Sequence, residues 1–220
     1  MSITTFFSDA AQEEMMTMPG SRGEHDLQER YGNQKRAEGF YRNQMLNYLN
    51  PQMRAFIARQ EMFFLSTADG LGECDVSFRA GDAGFVHALD EKILVYPEYR
   101  GNGVTASLGN ITENPHAALL FVDFVRDKIG LHVNGAARIL SNEELSASPD
   151  FSAALRRDIT ETGGRRPERW VRVTVEEAYI HCSKHIPRME KVAEEARQWG
   201  TDDVRAKGGD YFQAKSAPRR

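Results

Sequence analysis

Between Cys74 and Leu140 the chain reads CDVSFRAGDAGFV (74–86), KILVYPEYRGNGVTASLGNI (92–111), HAALLFVDF (116–124) and GLHVNGAARIL (130–140). This is a run of short apolar strands separated by turns. One glycine-bearing loop, Gly101-Asn102-Gly103, opens into a short helix. In the last segment Leu131, Val133, Gly135, Ala137 and Ile139 alternate with His132, Asn134, Ala136 and Arg138, the period of two that a strand imposes on its two faces.

Working outward, MFFLSTA (62–68) and GECDVSF (73–78 with Gly72) form a hairpin about Asp69-Gly70, a favoured turn pair. Ala80 to Gly84 makes a second turn, then FVHAL, the Asp90-Glu91 turn and KILVY follow. Hairpin-linked short strands indicate an antiparallel barrel rather than alternating β and α units. Ile111 to Pro115 closes the central helix, and WVRVTVEEAYIHC supplies the last strand with Val171, Val173 and Val175 on one face.

Helices flank this sheet. Ala37, Tyr41, Met45 and Tyr48/Leu49 recur at helical spacing over 34–49, and Asn50-Pro51 caps a second helix with Met53, Phe56 and Ile57 inward. A helical segment is expected over 142–164, ending at Gly163-Gly164, and a polar helix over 187–199. The fold class is therefore mainly β with flanking helices (α+β). Residues 1–34 are expected as an arm, 35–190 as the helices plus barrel, and 191–220 as a C-terminal helix and tail, mobile after Gly200 apart from Tyr211 and Phe212.

The 220 residues suffice to bury a full core, and 40% hydrophobic with 27% charged residues is an ordinary soluble composition. A net charge of −4 gives no basic face for nucleic acid. The basic groups at Arg165, Arg166 and Arg169, and at Arg219 and Arg220, read as solvated surface. No apolar run approaches the roughly 20 residues of a membrane span, and the N-terminus lacks a basic region of the secretory type. Two cysteines, Cys74 and Cys182, suit a reducing compartment, so the cytoplasm is expected.

Gly101-Asn102-Gly103-Val104-Thr105-Ala106 matches G-x-G-x-x-A in form, but the dinucleotide motif needs a strand running straight into the turn and a parallel neighbour. Here Pro97-Glu98-Tyr99-Arg100 intervenes and the neighbours are hairpins. The physics of the loop stands without that fold: bare amides and a helix start attract an anion. The alternative is a plain turn with two glycines at positive φ. Arg79 with Ser77, on one face at a strand end, is a second candidate anion contact, because a guanidinium fork matches phosphate oxygens.

Taken together, ECDVSFRAGDAGFV, LVYPEYRGNG, SLGNI, NPHAALLFVDF and HVNGAARI resemble the pyridoxamine 5′-phosphate oxidase-like flavoproteins, the FMN-binding split-barrel superfamily, over about residues 50–185. The resemblance is to the oxidase-related bacterial branch. It implies a six-stranded antiparallel split barrel, a homodimer, and FMN in a groove at the dimer interface. By position, Ser77 and Arg79 would face the FMN phosphate from one side and Tyr99, Gly101, Asn102 and Gly103 from the other. Val76, Phe78 and Tyr96 would border the isoalloxazine, with Ser107 and Asn110 supporting the loop.

The true oxidase carries Ser-Arg-Lys-Gly where this chain has Gly101-Asn102-Gly103, so two cations are missing, and no pyridoxamine-phosphate grip is recognisable. The implied activity is an FMN-dependent oxidoreductase acting on an unidentified small molecule. A non-catalytic flavin, deazaflavin (F420) or haem binding protein is the alternative, and a cofactor-free dimeric module a third.

No catalytic side chain stands out: G-x-S-x-G and H-E-x-x-H are absent, and Asp123 and Asp127 near Arg126 read as a polar strand end. His181-Cys182-x-x-His185 lacks the second ligand pair of a structural zinc site, so no metal is expected.

Overall fold

Apolar residues at every second position of the long strands leave one face that must be covered, and strands and flanking helices pack their apolar residues over it in one core. The computed structural model describes residues 18–149, 151–161, 165–192, 197 and 199–218. The chain divides into two compact units, meeting in sequence at Leu46/Asn47.

In the first unit the described elements are two helices, α1 (Arg22–Arg30) and α2 (Gln34–Gln44), and the two-residue strand Met45–Leu46. The stretch expected as an arm thus contains a helix: the Ser21 side chain accepts from the Glu24 amide and caps α1. Residues 1–17 of that expected arm lie outside the described residues. Helix α2 stops at Gln44, short of Leu49, with Met45 at its C-terminus already extended (φ −106°, ψ 131°).

The second unit begins with α3 (Pro51–Ile57), where the Asn50 side chain accepts from the Met53 amide at 2.9 Å and Pro51 occupies the first turn. The strands follow: β1 (Met62–Ala68), β2 (Cys74–Ala80), β3 (His87–Ala88), β4 (Ile93–Glu98), then α4 (Ala106–Glu113), β5 (His116–Asp123) and β6 (Ile129–Leu140). Helices α5 (Asn142–Ser146) and α6 (Ala153–Thr160) precede β7 (Arg169–His181). All neighbours pair antiparallel in the order β2-β1-β5-β6-β7-β4-β3.

Six strands have six or more residues, as the resemblance implies; the two-residue strands His87–Ala88 and Met45–Leu46 raise the count to eight. The chain is a split barrel of the expected class. Three local expectations change. FVHAL contracts to His87–Ala88. The helical stretch 142–164 becomes α5 and α6, because Ser141 forms a capping box with Glu144 and Ser152 starts a fresh cap on Leu155; Gly163 and Gly164 lie outside the described residues. Residues 187–192, 197 and 199 are not helical, and 193–196 and 198 of that expected helix are outside the described residues, as are Arg219 and Arg220.

The interior is lined by Phe63, Leu65, Leu94, Tyr96, Phe121, Val133, Val171 and Val173, each 0% exposed. Phe63 is its hub, 5.0 Å from the Tyr96 ring, 5.3 Å from Phe121 and 5.8 Å from Phe85. A smaller cluster of Val95, Leu140, Leu145, Leu155 and Trp170 sits on the other side of β4, which explains why every residue of that strand is buried. Gly135 lies where the β6–β7 register shifts, and a Cβ there would fall 2.0 Å from the Thr174 carbonyl oxygen, so the bulge demands glycine.

Candidate functional site

Strand β2 carries the site through its pleat. Asp75, Ser77 and Arg79 point to the sheltered side, while Cys74, Val76 and Phe78 are exposed. The sheltered three sit opposite Thr67, Leu65 and Phe63 of β1, so the hub of the core and Arg79 are cross-strand partners. Facing β2, the segment Glu98–Leu108 leaves β4, turns through the glycines and enters α4. The two elements bound a cleft of about 1200 Å³, whose lining includes Asp75, Ser77, Phe78, Arg79, Tyr99, Gly101, Asn102, Gly103 and Ser107. Eight of the eleven residues expected at the site therefore share one cavity.

The other three lie apart from its lining. Val76 is 66% exposed on the outer face. Tyr96 is fully buried among core residues, and its hydroxyl meets no hydrogen-bond partner. Burial, then the nearby Glu98 carboxylate, holds that phenol well above the usual tyrosine range. Asn110 donates from Nδ2 to Thr67 Oγ1 at 3.1 Å and so pins α4 to β1.

The turn is built by its own residues. Asn102 Oδ1 accepts from the Val104 amide at 2.9 Å, Gly103 takes φ +82°, and Thr105 is left-handed at φ 54° with no side-chain cap on α4. The first amides of an α-helix have no intrahelical acceptor, so the start of α4 offers donors to the cleft. At Gly101 and Gly103 a Cβ would meet nothing within 4 Å. The positive φ calls for glycine at 103; at 101 the protein's own packing does not, and the bare backbone instead leaves room on the cleft side.

Two carboxylates stand on the two groups expected to bind an anion. Arg79 donates from Nε to Glu98 Oε1 at 2.8 Å and from Nη1 to the Phe78 carbonyl at 3.3 Å. Glu98 is 9% exposed, and burial raises its carboxyl above the ordinary range against the pull of Arg79. Ser77 and Ser107 bring their hydroxyl oxygens to 3.0 Å of each other, and both reach Asp75 Oδ2, Ser77 at 2.9 Å and Ser107 at 3.3 Å. Neither carboxylate was among the residues singled out from sequence. Asp75 was accessible there, two positions before Ser77 on a strand, whereas Glu98 needed the fold that brings β4 across from β2.

The C-terminal segment was also missed. Trp199, Gly200, Asp202, Ala206 and Lys207 line the cleft, and the Trp199 ring meets Tyr99 edge-on at 4.9 Å. Burial, with Asp158 and Asp82 nearby, pushes the Tyr99 phenol up to about 12. Asp202 pairs with Arg100, and with Lys207 at 3.1 Å.

Elsewhere, His132 Nε2 lies 3.1 Å from His181 Nδ1, although the two are 49 residues apart in the chain. Among the described residues no group of three or more His, Cys, Asp or Glu side chains could hold a metal ion. No described helix is long and apolar enough to cross a membrane.

Solved structures align with parts of this chain. HupZ of Group A Streptococcus aligns at 20% identity over 64% of this chain and 98% of its own, with a TM-score of 0.44. A candidate pyridoxamine 5′-phosphate oxidase of Lactobacillus delbrueckii aligns at 19% over 62% and 98%, TM-score 0.44. An FMN-binding protein of Syntrophomonas wolfei aligns at 14% over 58% and 82%, TM-score 0.41. No curated protein sequence matches the chain. The model of the pyridoxamine 5′-phosphate oxidase family matches residues 49–182, which hold every barrel strand of the second unit and the whole turn. With that match over more than half its length, this chain belongs to the pyridoxamine 5′-phosphate oxidase family.

Proposed function

We propose that the chain is an FMN-dependent oxidoreductase acting on a small molecule, with the FMN phosphate held in the cleft. The observation that carries this reading is the meeting of Arg79 and the Ser77/Ser107 hydroxyls with the glycine turn and the start of α4 around one cavity. The donor set fits a phosphate monoester: one guanidinium, two hydroxyls and a run of bare amides, with empty space at Gly101 where the group would approach. Bound flavin would supply hydride transfer. The protein's part is to anchor the phosphate, and Tyr99, half-buried against Trp199, stays protonated at neutral pH and so keeps a hydroxyl hydrogen to donate.

A homodimer belongs to the same proposal. In register across the outer face run Phe78, Phe64, Leu120, His132 and Tyr179, with Phe78 56% and Phe64 37% exposed, an apolar row suited to a second copy. A cytoplasmic setting accords with Cys74 and Cys182, both free and exposed.

The test is the absorbance spectrum of the purified protein, mass spectrometry of whatever it releases on denaturation, and titration with FMN, F420 and haem. Flavin bands and saturable FMN binding are expected. A colourless protein that binds none of the three sinks the proposal. Binding without faster turnover of reduced nicotinamide than free FMN gives would make it a carrier.

A further inference from the structure

Glu98 does something more specific than neutralise an arginine. It lies inside the cleft, 2.8 Å from Arg79, with side-chain exposures of 12% for Glu98 and 20% for Arg79, so the pair is shielded from bulk water. An anion that takes Arg79 must either displace this carboxylate or sit beside it. Two negative groups sharing one guanidinium in a half-dry site repel, and the repulsion is relieved when one of them takes up a proton.

We propose that Glu98 is a proton-linked gate on the anion site: an anion that engages Arg79 is bound together with one proton, taken from solvent onto the Glu98 carboxylate. The gate rests on the reading of the cleft as a phosphate cradle. The groups around Glu98 favour it as the proton's resting place. Arg79 faces it from β2, and Tyr96, two residues earlier on its own strand, is uncharged. Arg169 lies opposite in the β4–β7 register, with Glu168 beside it in the cleft lining. The other cleft cations have other contacts: Arg100 and Lys207 with Asp202, and Arg197 with the Gly81 carbonyl. Burial already biases Glu98 toward its neutral form before any ligand arrives. Asp75 is the comparison within the site: it accepts from Ser77 and Ser107 and has no cation among those contacts, so its displacement frees no guanidinium.

The consequence is a pH-dependent affinity. With proton uptake on binding, affinity falls as pH rises, by at most about tenfold per pH unit for one proton. The experiment titrates the full chain with FMN and with riboflavin, which lacks the phosphate, by flavin fluorescence from pH 7 to 8.5. This range lies above the second phosphate pKa of about 6, so the ligand's own charge is constant. Calorimetry in two buffers of different ionisation heat counts the protons. The gate predicts uptake approaching one proton with FMN and none with riboflavin. In Glu98→Gln the FMN affinity becomes flat with pH and exceeds wild type at pH 8.5.

FMN binding more tightly than riboflavin, but without proton uptake by the wild type, overturns the gate and leaves the cradle standing. Equal binding of FMN and riboflavin, or no binding of either, overturns both. The proton count needs no substitution, so a poorly folding variant would not spare the proposal.

Discussion

The barrel interior and the cleft meet on β4 and along the β1–β2 pairing yet are held by different forces. Inside, Phe63, Leu65, Tyr96 and Val173 are fully buried and apolar area decides the packing, at roughly 25 cal/mol per Å² removed from water. Beside it, β2 and the end of β4 carry Arg79, Ser77, Asp75 and Glu98, whose contacts are mutual hydrogen bonds and an ion pair. The first kind of contact has no substitute from solvent or ligand. The second can be exchanged for a ligand's oxygens with little change in net pairing. One face of the β1–β2 pair therefore carries both structure and exchangeable chemistry, strand by strand, and Phe63↔Arg79 is a register pair where the two meet.

The harshest way to break the comparison is Phe63→Ala. Losing a ring that contacts Phe85, Tyr96 and Phe121 should cost about 3–5 kcal/mol in urea unfolding. A cost under about 1 kcal/mol would mean that the interior is not packed as described. On the neighbouring strand, Arg79→Ala should weaken FMN by about 1.5–3 kcal/mol, the worth of a charge-assisted hydrogen bond, with the oligomer unchanged by light scattering. Unaltered FMN affinity would remove Arg79 from the anion site. Between these lies Tyr96→Phe. It deletes a hydroxyl that is buried without a partner, so the variant should match or exceed wild-type stability by about 1 kcal/mol. A loss of that size would show that the hydroxyl is hydrogen-bonded, with a water as the natural candidate.

Most of the barrel was legible because its cause is local. Alternation in Leu131–Ile139, the Asn50-Pro51 cap and the valines of β7 each fix an element within one or two turns of chain, and the structure keeps them. Helix ends read less well where a cap competes: Ser152 restarts a helix that periodicity alone would run through from 142. In the site, Ser77, Arg79 and the glycine turn were visible as residue types. Their partners were not, because Glu98 lies 19 residues from Arg79 and its role depends on β4 crossing to face β2. Trp199 and Lys207 carry no motif at all, and only chain trajectory brings them to the cleft. Sequence thus marks residue types suited to an anion, and the fold shows which protein groups those residues contact.

The smallest effect tests the opposite face of the sheet. His132 stacks on Tyr179 with ring centroids 4.6 Å apart and points Nε2 at His181 Nδ1. Partial burial, then the proximity of His181, lowers its pKa from the ordinary histidine value. The sign follows from linkage. Between the depressed folded value and about 6.5 in the unfolded chain, the unfolded state binds more protons, so stability falls as pH drops through that window. Above it the contribution is fully present. His132→Gln should therefore flatten part of the loss in unfolding midpoint between pH 7.5 and 5.5, and an NMR titration of the wild type should place His132 below a free histidine. If His132 titrates at or above the free value, the two rings do not face each other as neutral partners. A value raised well above that of a free histidine would put a charge on the outer row at neutral pH, and its use as an apolar contact for a second copy would lose its support.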